Sequence, residues 1–216
     1  MARPLKHMDH DPSLPCCRGT DETVAGIDEV GRGCLAGPVY AAAVAFRTRD
    51  VPLGIDDSKK LSAKRREELY PQIMSCAHVG VGYATVAEID DMNILNATML
   101  AMRRAFSNLP LRPRIVLVDG SMDPGLGRRG YEVIARDALD ATCPTVAAAS
   151  IVAKTIRDAL MVDLGRMHPG YDWEANKGYG APLHLAGLKE RGYTDHHRRS
   201  FSPIRQMVQA RTGRGD

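Results

Sequence analysis

The sequence predicts an α/β fold, a sheet of mixed direction flanked by helices. Three observations predict it. An apolar run beginning at Thr23 ends on Asp28 and Glu29, and a second, residues 39–46, follows after a bend at Gly37-Pro38. So short a connection makes the two strands antiparallel. Residues 114–118 are apolar throughout their centre, the pattern of a strand buried on both faces, and they end on Asp119-Gly120. From there, strand-like and helix-like segments alternate.

Taken in order, residues 1–22 hold Pro4, Pro12 and Pro15, scattered His and Asp and no apolar period, and are expected to form a flexible leader. After the first two strands comes a loop with Asp56-Asp57-Ser58-Lys59-Lys60-Leu61. Ser62 is placed to cap a helix over residues 63–76. Residues 79–86 read as a third strand. A helix follows over residues 89–109, where Ile94, Leu95, Met99, Met102 and Phe106 recur at helical spacing. Residues 131–135 are the fifth strand. An alanine-rich helix spans residues 145–166 and is stopped by Pro169-Gly170. Residues 168–181 read as a polar loop with Tyr171, Trp173 and Tyr179, and short helices over 182–189 and 202–209 close the chain. The expected organisation is a leader (1–22), a catalytic α/β domain (23–166) and a C-terminal helical extension (167–216).

With 216 residues, 44% of them hydrophobic, the chain suits one domain with an ordinary core; at 5% aromatic, that core rests on aliphatic side chains. Net charge of +3 says little, but Lys177, Lys189, Arg191, Arg198, Arg199, Arg205, Arg211 and Arg214 stand against only Glu190, Asp195 and Asp216 in the same stretch. A basic end of this kind suits a polyanion, with solvated surface as the competing reading. The cysteines are Cys16, Cys17, Cys34, Cys76 and Cys143, without a C-x-x-C pair, which points to a reducing cytoplasm. No run is apolar enough to cross a membrane, and residues 1–22 contain no apolar h-region, so no secretory signal is expected.

The chemistry concentrates where strands end. In open α/β sheets sites gather at the carboxyl ends of strands, and two strands here end in acid, at Asp28-Glu29 and at Asp119. A further acid, Asp140 or Asp137, precedes the alanine-rich helix. Crowded carboxylates repel one another unless a divalent cation compensates them. An all-oxygen set suits Mg²⁺ or Mn²⁺, and two ions roughly 3.5–4 Å apart suit in-line attack on a phosphodiester. Taken singly, each acid has the alternative of a helix cap or a solvated face. Gly31 and Gly33 let backbone approach a ligand closely, and Arg32 between them is a phosphate donor. Tyr179, on a basic turn expected to be flexible, has a ring able to pack on a sugar or base, or simply in a core. Gly125-Leu126-Gly127-Arg128-Arg129-Gly130 matches a dinucleotide fingerprint but precedes a strand instead of a helix, and is rejected. Asp195-His196-His197 is a poor metal site beside Arg198 and Arg199.

Several of these stretches, in this order, resemble the bacterial ribonuclease HII family: residues 26–33 with Ala36-Gly37-Pro38, Asp57-Ser58-Lys59-Lys60-Leu61, Val118-Asp119-Gly120, residues 147–154 with Arg157-Asp158, His168-Pro169-Gly170-Tyr171, Lys177-Gly178-Tyr179-Gly180, and His197-Arg198-Arg199-Ser200-Phe201. The resemblance covers residues 25–203. It implies an RNase H-like fold with a mixed five-stranded sheet and a C-terminal part that clamps substrate. It implies hydrolysis of RNA in RNA–DNA hybrids and incision at ribonucleotides in duplex DNA, leaving 3′-hydroxyl and 5′-phosphate ends. The family's four metal-holding acids fall on Asp28, Glu29, Asp119 and, in preference to Asp137, Asp140, with Mn²⁺ or Mg²⁺ as cofactor. Its 2′-hydroxyl-reading loop falls on Gly31, Arg32 and Gly33, and its sugar-facing tyrosine on Tyr179. Ser58, Lys59, Lys60 and Lys154 are then phosphate or electrostatic candidates. The expected protein is a monomer, and its C-terminus has no apolar or aromatic anchor for a sliding clamp. The competing readings are a resolvase- or integrase-like DNA nuclease and a non-catalytic nucleic-acid-binding module.

Overall fold

In a computed structural model of the chain, residues 11, 13–15, 23–48 and 51–212 are described, apart from the side chains of 211 and 212. Cys16, Cys17, Arg214, Asp216 and most of the expected leader lie outside them. Five strands form one sheet in the order β3-β2-β1-β4-β5: β1 (Val24–Val30), β2 (Val39–Phe46), β3 (Ala77–Ala84), β4 (Ile115–Asp119) and β5 (Glu132–Arg136). The helices are α1 (Ala63–Cys76), α2 (Val86–Ser107), α3 (Pro144–Met167), α4 (Trp173–Asn176), α5 (Pro182–Arg191) and α6 (Ile204–Thr212). β1 pairs antiparallel with β2 and parallel with β4, which pairs parallel with β5. The sheet is therefore mixed, as the sequence predicts. No helix among the described residues is long and apolar enough to cross a membrane.

Contacts divide the chain into two compact units. The first holds the described residues of Met1–Val30 with Tyr40–Tyr83 and Met99–Thr155, and therefore the sheet. Ile27 pairs with Val118 in the β1–β4 register, so one step further Asp28 comes level with Asp119. Gly26 is needed because a Cβ there would lie 2.4 Å from the backbone of Val146 at the start of α3. Asp28 shares that face, two residues on, and so meets α3 little more than a turn later, at Ser150. Leu14, in the expected leader, is buried with Ile115, Leu117, Leu139, Cys143 and Val146.

Several boundaries differ from expectation for local reasons. Ser62 caps α1 as predicted, its hydroxyl accepting the Arg65 N–H at 3.2 Å. The extended Ala77 turns α1 directly into β3, so that strand begins two residues earlier than the expected 79–86. β5 starts one residue later than expected, at Glu132. Thr85 and Glu88 form a reciprocal capping box at the start of α2, which places that start three residues before Ile89. α2 is not continuous: Asn93 sits at φ 69°, ψ 164°, and its side chain accepts the N–H groups of Leu95 and Asn96, re-capping the second half.

The second unit comprises Gly31–Val39, Ala84–Thr98 and the described residues of Ile156–Asp216. Its core is Leu35, Ala36, Met161, Leu164, Tyr171, Trp173, Leu188 and Ile204. The expected loop at 168–181 contains the short helix α4, because fully buried Trp173 ties it to this core. α5 runs two residues past the expected Lys189, and α6 begins at Ile204 instead of Ser202.

Candidate active site

Within the first unit, Asp28, Asp119 and Asp140 each offer a carboxylate oxygen, and these oxygens lie within 4.8 Å of one another. Among the described residues they are the one such group of potential metal ligands. Asp28 and Asp119 arrive on adjoining strands in register. Asp140 arrives by a different route. Ala138 takes a left-handed conformation (φ 61°, ψ 31°), a 3-10 turn follows over Leu139–Ala141, and the Leu139 N–H donates to Asp119 Oδ1 at 2.8 Å. That turn buries Asp140 while Asp137 stays exposed, so of the two alternatives it is Asp140 that joins the cluster. Glu29 is not among the three. Its backbone N–H donates to Asp28 Oδ1 at 2.7 Å, and its charge acts on Asp28.

The cluster is electrostatically strained. Burial, followed by the charges of Glu29, Asp119 and Asp140, pushes the Asp28 carboxyl well above the usual carboxylate range; a hydrogen bond from Ser150 works the other way. Asp140 is also raised, by burial and then by Asp119 and Asp57, with Lys59 offsetting. Lys59 Nζ lies 3.5 Å from Asp140 Oδ2 on a side chain that is 76% exposed. Partial burial acts to lower that ammonium, but Asp140, Asp28 and Asp57 raise it overall. Ser58 is buried, its hydroxyl 2.7 Å from that of Ser150. Ser58 therefore reaches the acids through Ser150, a residue sequence reasoning missed; its only signal was its place in the alanine-rich run. Lys154 follows on α3 one turn after Ser150, on the same face. Three converging carboxylate oxygens, with Asp28 and Asp140 held above the usual carboxylate range, fit a hard divalent ion.

The second unit holds the other candidates. Gly31 has φ +93°, and a Cβ there would lie 2.2 Å from Arg157 Nε. Arg32 and Gly33 are exposed, and an added Cβ on Gly33 would meet Tyr179 at 4.0 Å. The turn carrying Tyr179 is pinned, not flexible. The Gly178 carbonyl accepts the N–H groups of Leu35 (2.8 Å) and Ala36 (3.3 Å), and Asn176 Oδ1 accepts the Gly178 N–H at 2.9 Å. Tyr179 keeps 42% exposure, with its phenol raised by burial and by Cys34.

Among the described residues, His196 and His197 are in no group of potential metal ligands. His197 is buried with His184, their Nε2 atoms 3.0 Å apart. The Tyr179 carbonyl can only accept, so His184 Nδ1 carries a proton; His184 Nε2 then accepts from Trp173 Nε1 and from His197 Nε2. His197 Nδ1 accepts the Thr194 N–H at 2.9 Å. Both rings are neutral, and burial followed by His184 pushes His197 down to about 3.

The Gly125–Gly130 fingerprint also finds its explanation. The Asp123 carboxylate accepts the N–H groups of Gly125, Leu126 and Gly127 at 2.8–3.0 Å, and a 3-10 turn leads into β5. The rejection of this motif as a phosphate site therefore stands.

A mixed sheet with three acids at the ends of its strands and on the turn before α3 defines a class, the divalent-metal-dependent nucleases of RNase H-like fold. The comparisons narrow that class. A family profile described as Ribonuclease HII matches residues 25–204. A ribonuclease HII of Rhizorhabdus wittichii is 55% identical over 184 residues, 85% of this chain and 90% of that one. Among solved structures, ribonuclease H2 from Pyrococcus horikoshii superposes with a TM-score of 0.75 at 28% identity, covering 90% of this chain and 100% of the other. The ribonuclease HII in a PCNA complex from Archaeoglobus fulgidus gives 0.71 at 30% identity, over 83% and 95%. The chain belongs to the ribonuclease HII family.

Proposed function

We propose that the protein is an endoribonuclease that cleaves the RNA strand of RNA–DNA hybrids and incises duplex DNA at embedded ribonucleotides, leaving 3′-hydroxyl and 5′-phosphate ends. The observation that carries this reading is the convergence of Asp28, Asp119 and Asp140 in a chain of this family. Neither the DNA-nuclease nor the non-catalytic reading is favoured by that membership.

Asp28, Asp119 and Asp140 would hold Mg²⁺ or Mn²⁺, with Glu29 beside them. The chemistry supplied by divalent cations held there is activation of water and stabilisation of charge on the scissile phosphate. The chain's own groups prepare that site. Ser150 donates to Asp28, fixing its carboxylate, and is itself held by Ser58. Lys59 supplies a cation near Asp140, and Lys154 stands one turn beyond Ser150; both are candidates to meet a phosphate. Gly31, Arg32 and Gly33 test for the ribose 2′-hydroxyl, the group that separates RNA from DNA. The Tyr179 ring packs against the neighbouring sugar. In this division residues 23–166 carry the chemistry and 167–216 the substrate-binding extension. The free thiols of Cys34, Cys76 and Cys143 suit a reducing cytoplasm, and a monomer is the acting form.

The test is a DNA duplex with one ribonucleotide, and an RNA–DNA hybrid, each incubated with Mg²⁺, Mn²⁺ or chelator. Cation-dependent nicking at the ribonucleotide is expected, with an all-DNA duplex left intact. Equal cutting of the all-DNA duplex would overturn the reading. Tyr179→Ala should lower cleavage at the single ribonucleotide more than within the hybrid.

A further inference from the structure

Two guanidinium groups are completely buried in the second unit, those of Arg157 and Arg198. Buried charge is ordinarily matched by opposite charge. Here all six hydrogen bonds go to backbone carbonyls. Arg198 donates to Gly31 (2.6 Å), Arg32 (2.7 Å) and Gly37 (2.9 Å). Arg157 donates to Ala36 (3.1 Å), Pro38 (2.9 Å) and Lys177 (2.9 Å). Asp90, whose charge acts on Arg198, spends its carboxylate on the N–H groups of Arg199 and Ser200 and the Ser200 hydroxyl. Burial lowers Arg198 only to about 10, so it remains a cation at neutral pH.

The consequence lies in peptide geometry. In a planar trans peptide, the C=O of one residue and the N–H of the next point in opposite directions. Drawing the Gly31 and Arg32 carbonyls inward onto Arg198 therefore turns the N–H groups of Arg32 and Gly33 to the opposite, outward side. Gly33 also lies close to the ring of Tyr179, which an added Cβ would meet at 4.0 Å. An unconstrained glycine-flanked segment would sample both orientations.

We infer that Arg198 is a positioning residue for ribose recognition: its fork holds the Gly31 and Arg32 carbonyls so that the loop presents N–H donors to the substrate's 2′-oxygen. Arg157 does the same for the far end of the loop, linking Ala36 and Pro38 to the Tyr179 turn through Lys177. This rests on reading Gly31–Gly33 as the ribose sensor. Lysine carries the charge but not the planar fork, so charge and geometry can be separated.

The experiment measures binding without turnover, in the full-length chain carrying Asp28→Asn. Affinities are determined for a DNA duplex with one ribonucleotide and for the same duplex all-deoxy, with and without Arg198→Lys. The deoxy-to-ribo ratio of Kd should fall at least fivefold in Arg198→Lys, while Kd for the all-deoxy duplex changes less than twofold. Parallel weakening on both duplexes, with the ratio retained, would overturn the inference and assign Arg198 a structural or general electrostatic role. A parent that does not discriminate ribose at all would remove the ribose-sensor reading itself, and the inference with it. Should Arg198→Lys fail to fold, Phe201→Leu carries the test. The Arg198 guanidinium lies 5.1 Å from the Phe201 ring centroid, so loosening that contact should lower the same ratio about twofold, and an unchanged ratio in that folded variant counts against the proposal.

Discussion

At the ends of β1 and β4 and on the turn before α3 the chain gathers three carboxylates, with the exposed ammonium of Lys59 beside Asp140. Against the Gly31–Val39 loop it does the reverse, burying two cations, Arg157 and Arg198, and satisfying them with neutral carbonyl oxygens of the loop and of Lys177. The first arrangement is left in electrostatic debt, with Asp28 driven toward protonation, and a cation discharges it. The second is internally complete and needs no ligand to be rigid. A site that must receive an ion is kept frustrated, whereas a site that must judge a sugar is kept stiff.

The sharpest way to break that contrast is Asp28→Asn. Cleavage should fall by about a thousandfold or more, roughly 4 kcal/mol of barrier, with hybrid binding still measurable in a gel shift. The same variant should melt at a higher temperature than wild type in chelator at neutral pH. The sign follows from the raised pKa: the charged Asp28 penalises the folded state increasingly as pH climbs above the unfolded carboxylate value. A divalent ion should stabilise wild type more than the variant. Lower stability of Asp28→Asn in chelator would refute the frustrated half of the comparison.

Gly31→Ala attacks the stiff half. A Cβ at φ +93° against Arg157 should cost about 2 kcal/mol, visible as a lowered urea midpoint. The His197–His184 pair provides a pH test of the same unit. Its depressed His197 pKa means that the unfolded chain takes up a proton first. Stability is therefore full above about pH 6.5 and lost as pH falls toward 3, with about 2 kcal/mol gone at pH 5. His197→Asn should flatten that dependence between pH 7.5 and 5; an unchanged slope would place its origin elsewhere. Smallest is Ser150→Ala. Losing the hydrogen bond to Asp28 should reduce cleavage about tenfold, near 1.4 kcal/mol, and move the acid limb of the pH–rate profile upward.

The contrast also separates what could be read in advance. Strand ends and the Ser62 cap follow from periodicity and local chemistry, and Asp28 and Asp119 came with the strand ends; that the first and fourth strands adjoin is shown by the sheet order. The preference for Asp140 over Asp137 came from the resemblance alone, because the left-handed Ala138 that buries Asp140 is something no propensity anticipates. Ser58 joins the acids through a partner 92 residues away, Ser150. The buried arginines were legible only as part of a basic terminus, because their acceptors are backbone carbonyls, and every residue has one. The break at Asn93 was masked by apolar spacing that reads through it.

The Asp123 turn carries one more consequence. A glycine-rich segment whose three amides already grip a carboxylate from its own chain behaves as a receptor sold with its ligand attached. Free phosphate at millimolar concentration competes with an anion that never diffuses away. Such self-sealed turns satisfy motif searches while excluding the ligand those searches seek. The discriminating mark is an acidic residue two to four positions before the amides, here Asp123 ahead of Gly125, Leu126 and Gly127.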